Sequence, residues 1–158
     1  MELDEILEML SWESNEEVQK QGLELSKYID DISTFLQPFE LGNKCVWDNC
    51  AKILSKKTDD ELQPYLVQLL EWLQDLNWPG AMIVLERLKK FSANMLKPIL
   101  EETVIEAYSS KDEDKLMWLD YLSEFLNNLE LKSILSNNVY LILKKHYNNW
   151  GFWYNEQE

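Results

Sequence analysis

Residues 58–91 read TDDELQPYLVQLLEWLQDLNWPGAMIVLERLKKF, and this stretch decides the fold class. Thr58-Asp59-Asp60-Glu61 is a capping-box pattern: a threonine hydroxyl takes the backbone N–H three residues on, and the glutamate reaches back. Behind it Leu62, Leu66, Leu69, Leu70 and Leu73 recur at helical spacing and share one face. Asn77-Trp78-Pro79 is a second start signal, because proline fits the first turn of a helix. Ala81, Val84, Leu85, Leu88 and Phe91 form the next stripe. Leu69, Leu73, Leu85 and Leu88 are therefore expected in the core.

The same pattern extends both ways. Leu3, Ile6, Leu7 and Leu10 follow i, i+3, i+4, i+7, which predicts an amphipathic first helix. Ser14 and Glu17 make another capping-box pattern, ahead of Val18, Gly22, Leu25 and Ile29. No segment alternates with period two and β-branched enrichment, so the chain reads as all-α. Phe35-Leu36-Gln37-Pro38-Phe39, Glu61-Leu62-Gln63-Pro64-Tyr65 and Met95-Leu96-Lys97-Pro98-Ile99 share the order x-Leu-polar-Pro-apolar. Proline near a helix start recurs for local reasons alone, yet Pro64 and Pro98 stand 34 residues apart, a spacing that suits helix pairs. One domain over residues 1–158 is expected: a capping helix in 1–14, about four helix pairs over 15–147, and an aromatic tail at 148–158. The pairs fall at 15–28 with 30–39, 43–56 with 59–76, 78–91 with 94–109, and 113–128 with 131–147. A helix pair cannot bury its apolar face alone, so stacked neighbours would form one continuous core. A compact helical bundle is the alternative.

The pattern L-x-P-x-L-x-x-L-L resembles HEAT-type repeats. More narrowly, Leu69 to Ala81, LLEWLQDLNWPGA, resembles the signature of a family of uncharacterised bacterial HEAT-like domains. Trp47-Asp48-Asn49-Cys50-Ala51 and Leu62-Gln63-Pro64-Tyr65-Leu66 belong to the same pattern, and the resemblance spans roughly residues 15 to 130. It implies a right-handed superhelix of helix pairs and carries no catalytic role. The string also reads as plain structure, with its leucines in the core and Asn77, Trp78 and Pro79 shaping a turn.

Composition bounds the function. The 158 residues carry 15 basic and 29 acidic side chains, a formal charge of −14. Such a balance opposes a nucleic-acid footprint and an anionic membrane surface. No apolar run approaches the ~20 residues of a membrane span. The start, MELDEILEML, is acidic where a signal peptide is positive, so the cytoplasm is the expected compartment. Arg87 is the one arginine against fourteen lysines, and asparagine is abundant, as in products of AT-rich bacterial genomes.

The search for chemistry is mostly negative. Cys45 and Cys50 are five apart, which turns them away from each other on a helix, and both read as buried structural thiols. His146 lies in Lys144-Lys145-His146-Tyr147 near a predicted helix C-terminus, where cations suit the dipole. Phosphate-loop, dinucleotide, HExxH and nucleophile-elbow motifs are absent. No catalytic, metal or cofactor residue is assigned. The acidic runs Glu16-Glu17, Asp30-Asp31, Asp59-Asp60-Glu61, Glu101-Glu102 and Asp112-Glu113-Asp114 mostly fall at predicted helix starts, where acids favour the dipole. The last run lacks the glycine and terminal glutamate of a calcium loop. HEAT-like folds include alkylpurine DNA glycosylases, but those hold a phosphate backbone on a basic surface, a poor fit to this charge.

The charge is uneven: net −9 over residues 1–40, +1 over 41–100 and −6 over 101–158. Acidic ends serve solubility, or they attract a basic partner. Glu16, Glu17, Asp30, Asp31, Asp112, Glu113 and Asp114 are the candidate contacts, with Trp118, Trp150 and Trp153 as aromatic anchors. Trp150-Gly151-Phe152-Trp153-Tyr154 is expected to leave the helix at Gly151 and either to cap the last repeat or to touch a partner. The expectation is a non-enzymatic protein-binding module. In concrete form it is an acidic bacterial immunity-type protein that neutralises a basic toxin; the alternative is an adaptor that binds a protein or peptide. No nucleic acid or membrane is expected as partner, and the sequence leaves the oligomeric state open.

Overall fold

The Thr58 capping box closes as its sequence predicts: Thr58 Oγ1 accepts from the Glu61 N–H at 3.2 Å, and Glu61 Oε1 accepts from the Thr58 N–H at 3.1 Å. The computed structural model that contains it describes residues 2–37 and 43–156, with side chains described as far as Tyr147. Among these residues every regular element is helical, so the fold class is all-α.

The chain runs through α1 (Leu3–Met9), α2 (Glu16–Ser26), α3 (Trp47–Ser55), α4 (Asp59–Leu62), α5 (Leu66–Glu71), α6 (Ala81–Lys89), α7 (Ala93–Ser110), α8 (Glu113–Leu122), α9 (Leu129–Ile134) and α10 (Asn137–Glu156). Packing follows chain order, with α1 on α2, α2 on α3 and α3 on α6. α5 lies against α7, and α7 and α8 pack on each other and on α10. One apolar cluster runs from Ile6 to Leu143, and Leu69, Leu73, Leu85 and Leu88 are all buried within it.

Several boundaries differ from the sequence reading, each for a local reason. α2 is capped by Asn15, whose Oδ1 accepts from the Val18 N–H at 2.9 Å. Ser14 is spent elsewhere, donating to the Glu8 carbonyl oxygen at the end of α1. The expected helix at 30–39 is a single 3₁₀ turn, Ile32–Phe35. Asp31 caps it, and Leu36 is already extended, ψ 135°, two residues before Pro38. A cap on one side and proline's bias against helix on the other leave room for one turn. Pro38 and Phe39 lie outside the described residues. The helix expected over 59–76 alternates α4, a 3₁₀ turn Gln63–Tyr65, α5 and a 3₁₀ turn Trp72–Gln74. Pro64 sits in the first of these turns, where its missing N–H disrupts the α ladder. Pro79 precedes α6 instead of starting it; Gly80 at φ 80° takes the N-cap position.

The fourth pair departs furthest. α8 continues as a 3₁₀ turn, Ser123–Asn127, and the helix expected over 131–147 is cut into α9 and α10. Leu135 between them is extended, ψ 145°, while the Ser136 N–H donates to Glu101 Oε2 at 2.6 Å. Gly151 does not break the helix, because α10 runs through it to Glu156. Glycine inside a helix costs only about 1 kcal/mol relative to alanine, which a long helix tolerates.

Candidate interaction surface

The LLEWLQDLNWPG string builds an aromatic knot. Trp47 meets Trp72 edge-on with ring centroids 6.2 Å apart, and Trp78 edge-on at 5.8 Å. Trp72 Nε1 donates to the Pro79 carbonyl oxygen at 2.9 Å, which holds the turn before α6 over the knot. Behind it Arg87 donates to the Lys57 carbonyl oxygen at 2.9 Å and to Asp59 Oδ1 at 2.6 Å. Asp59 Oδ2 accepts the Ser92 N–H at 2.9 Å, so the lone arginine ties the start of α4 to the end of α6. These residues are architecture.

The seven candidate acids are all exposed. Glu16 and Glu17 fill the first turn of α2, Asp30 and Asp31 follow its end, and Asp112, Glu113 and Asp114 open α8. Asp31 and Asp112 also act as caps, accepting from the N–H of Ser33 and of Asp114, each at 3.1 Å. The structure does not gather the acids into one cluster: α2 packs on α1 and α3, whereas α8 packs on α7 and α10. Glu101 and Glu102 are not at a helix start; they lie within α7, where Glu101 receives the Ser136 N–H at the break before α10.

Trp118 is not a surface anchor. It is buried, with Nε1 donating to the Leu70 carbonyl oxygen at 3.0 Å. The side chains of Trp150 and Trp153 lie outside the described residues, although their backbone belongs to α10. Of the two free thiols Cys50 is buried as expected, and Cys45 is only half-buried. Burial pushes the Cys50 thiol up to about 12, against a hydrogen bond with Gln37 that pulls down.

His146 does not stand at a helix end; α10 continues ten residues beyond it. Its Nδ1 lies 2.7 Å from Asp120 Oδ1 on α8, an acidic partner 26 residues away that no local motif announces. The contact ties α10 to α8. Among the described residues no three His, Cys, Asp or Glu side chains gather to hold a metal, and no helix is long and apolar enough to cross a membrane.

Sequence reasoning also missed a basic groove between α2 and α3, of about 560 Å³, whose lining includes Lys20, Lys27, Lys52, Lys56 and Lys57. Its signal is a spacing of i, i+3, i+4, i+7 in residues 20, 23, 24 and 27. That spacing is readable only once a second helix is known to lie alongside.

A family model described as a domain of unknown function, DUF5071, matches residues 47–153, about two thirds of the chain. The chain belongs to this family. No curated protein and no solved structure matches it. The DUF5071 match takes in the tryptophan knot, the Arg87–Asp59 tie and the His146–Asp120 contact. It starts at the first residue of α3, so α1 and α2 precede it.

Proposed function

We propose that the chain is a non-enzymatic, cytoplasmic protein-binding module that engages a basic partner through its acidic ends. The observation that carries this reading is the state of the seven acids: all are exposed, and none is in an ion pair with a described residue. Unneutralised carboxylates at both ends of a −14 chain steer a cation by long-range attraction and raise its association rate. The concrete form is an immunity-type protein that covers a basic bacterial toxin. A HEAT-like superhelix is the architecture that goes with it. In support, α3 packs on α6 and α5 on α7, the neighbour relations expected of like helices in stacked pairs.

Affinity capture from the native cell supplies the partner, and the on-rate tests the mechanism. Reversing Glu16, Glu17, Asp30, Asp31, Asp112, Glu113 and Asp114 together should slow association more than it speeds dissociation. Raising salt through the range where the Debye length falls below ~10 Å should slow the wild type similarly. A multiple reversal is needed because single exposed pairs are worth roughly 0–1 kcal/mol. A salt-independent on-rate, equal in the reversed chain, overturns the proposal and leaves the acidity to solubility.

A further inference from the structure

The groove between α2 and α3 is opposite in sign to the chain that carries it. Five of the fourteen lysines line one cavity of about 560 Å³ in a protein of net charge −14. Gln19 of α2 meets Asn49 of α3 at 3.0 Å. The lining residues span 20 to 27 at α2 and 52 to 57 at the end of α3 and just past it. At 1.5 Å per residue the α2 side is roughly 10 Å long. Half-buried Leu23 and buried Ile53 supply an apolar lining between the charges.

Lysine at a helix C-terminus offsets the dipole, which accounts for Lys27 at the end of α2 and for Lys52 and Lys56 at the end of α3. It does not account for Lys20 in the body of α2, or for the convergence of all five on one cavity. Lys27 pairs with Glu24 at 2.9 Å, whereas Lys20, Lys52 and Lys56 are exposed and in no ion pair with a described residue. Like charges held together repel, and a bound anion removes that cost.

We propose that this groove binds an acidic segment of another protein, one that offers carboxylates to the lysines and an apolar side chain to Leu23 and Ile53. A nucleic acid is disfavoured because its phosphate backbone offers no apolar side chain to Leu23 and Ile53, and its unbroken charge would run beyond the short groove onto an acidic chain. A small-molecule site relies on a few fixed polar groups. Here the buried polar lining residue, Ser26, already donates its hydroxyl to the Leu23 carbonyl oxygen at 2.6 Å. Charge on long, exposed lysines suits a peptide laid along the groove. One wall, α2, precedes the family match, so the matched segment alone does not form the site.

The test uses the full chain and a labelled synthetic peptide alternating glutamate with leucine, followed by fluorescence anisotropy. The peptide should bind, more weakly as salt rises, and its glutamine-for-glutamate counterpart should bind about tenfold or more weakly. The double variant Lys20→Gln, Lys52→Gln changes two exposed residues and should also bind about tenfold more weakly, with an unchanged melting curve. Glu24→Gln frees Lys27 and should tighten binding. Equal affinity of the double variant, or no saturable binding of the glutamate peptide, overturns the proposal. So does tripolyphosphate or a DNA oligonucleotide binding as tightly as the peptide. The seven acids of the basic-partner proposal line no part of this groove, so the charge-reversed chain separates failure of one proposal from failure of the other.

Discussion

Trp118 Nε1 donates to the Leu70 carbonyl oxygen at 3.0 Å, joining α8 to the end of α5 across 48 residues of chain. Both residues are buried, so the bond is made away from water, and the carbonyl oxygen also accepts a backbone N–H at the end of α5. Trp118→Phe keeps an aromatic ring and removes one donor, while the Leu70 carbonyl oxygen retains a backbone N–H, so it should cost about 0.5–1.5 kcal/mol. Trp118→Ala should cost about 3–5 kcal/mol through the cavity it leaves. Urea unfolding reads both as a lower midpoint at unchanged slope. A loss under half a kcal/mol for the alanine variant would show that the indole is not part of the core.

Gly80 is the tightest point behind the tryptophan knot. Its φ is +80°, and a Cβ there would stand 2.8 Å from the Ala51 Cβ, 2.8 Å from the Trp47 carbonyl oxygen and 2.9 Å from the Trp72 ring. Left-handed backbone alone costs a side chain about 1–2 kcal/mol, and two of these neighbours are backbone or directly attached to it. Gly80→Ala should therefore lose at least ~2 kcal/mol. It should also blue-shift the tryptophan emission less completely on refolding, since the knot must open. An unchanged melting temperature would mean the turn rearranges freely.

Stability should fall on the alkaline side. Burial raises the Cys50 thiol from 9.0 to about 12. Burial, then Asp75 and Asp120, raises Tyr121 above 10.0. Burial pulls Lys89 down, but its pairs with Glu124 and Glu86 outweigh it and hold the ammonium above 10.5. In all three the folded state retains a proton that the unfolded state releases first, so unfolding is favoured as pH climbs past ~9. Melting temperature followed from pH 7 upward should decline, and Cys50→Ala should remove the earliest part of the decline. A flat profile would contradict the burial of Cys50. Thiol labelling at neutral pH should reach Cys45 first, leaving Cys50 protected until the chain unfolds.

Helical breaks were less legible than helical stripes. Leu131, Leu135 and Val139 keep an i, i+4, i+8 period straight through the interruption between α9 and α10, so the apolar pattern cannot register it. At the interruption Ser136 Oγ accepts the Val139 N–H to open α10, while Glu101, 35 residues away, takes the Ser136 N–H. At the other end Gly151 looked like a stop and was none, because α10 carries it through. Ser14 and Asn15 are both good caps, and the choice between them went to Asn15 because Ser14 is held by Glu8 of the preceding helix.

Sequence by itself determined what depends on neighbours along the chain. The Thr58 box and the leucine stripes of α5 and α6 follow from three- and four-residue spacings, which a helix turns into faces. Tertiary structure decided everything that pairs distant residues. It buried Trp118 against Leu70, gave His146 its Asp120 and set five lysines from positions 20 to 57 around one groove. An indole, an imidazole or an ammonium reads alike in sequence whether it meets a carbonyl, a carboxylate or water. Only the packing of one helix on another chooses among them.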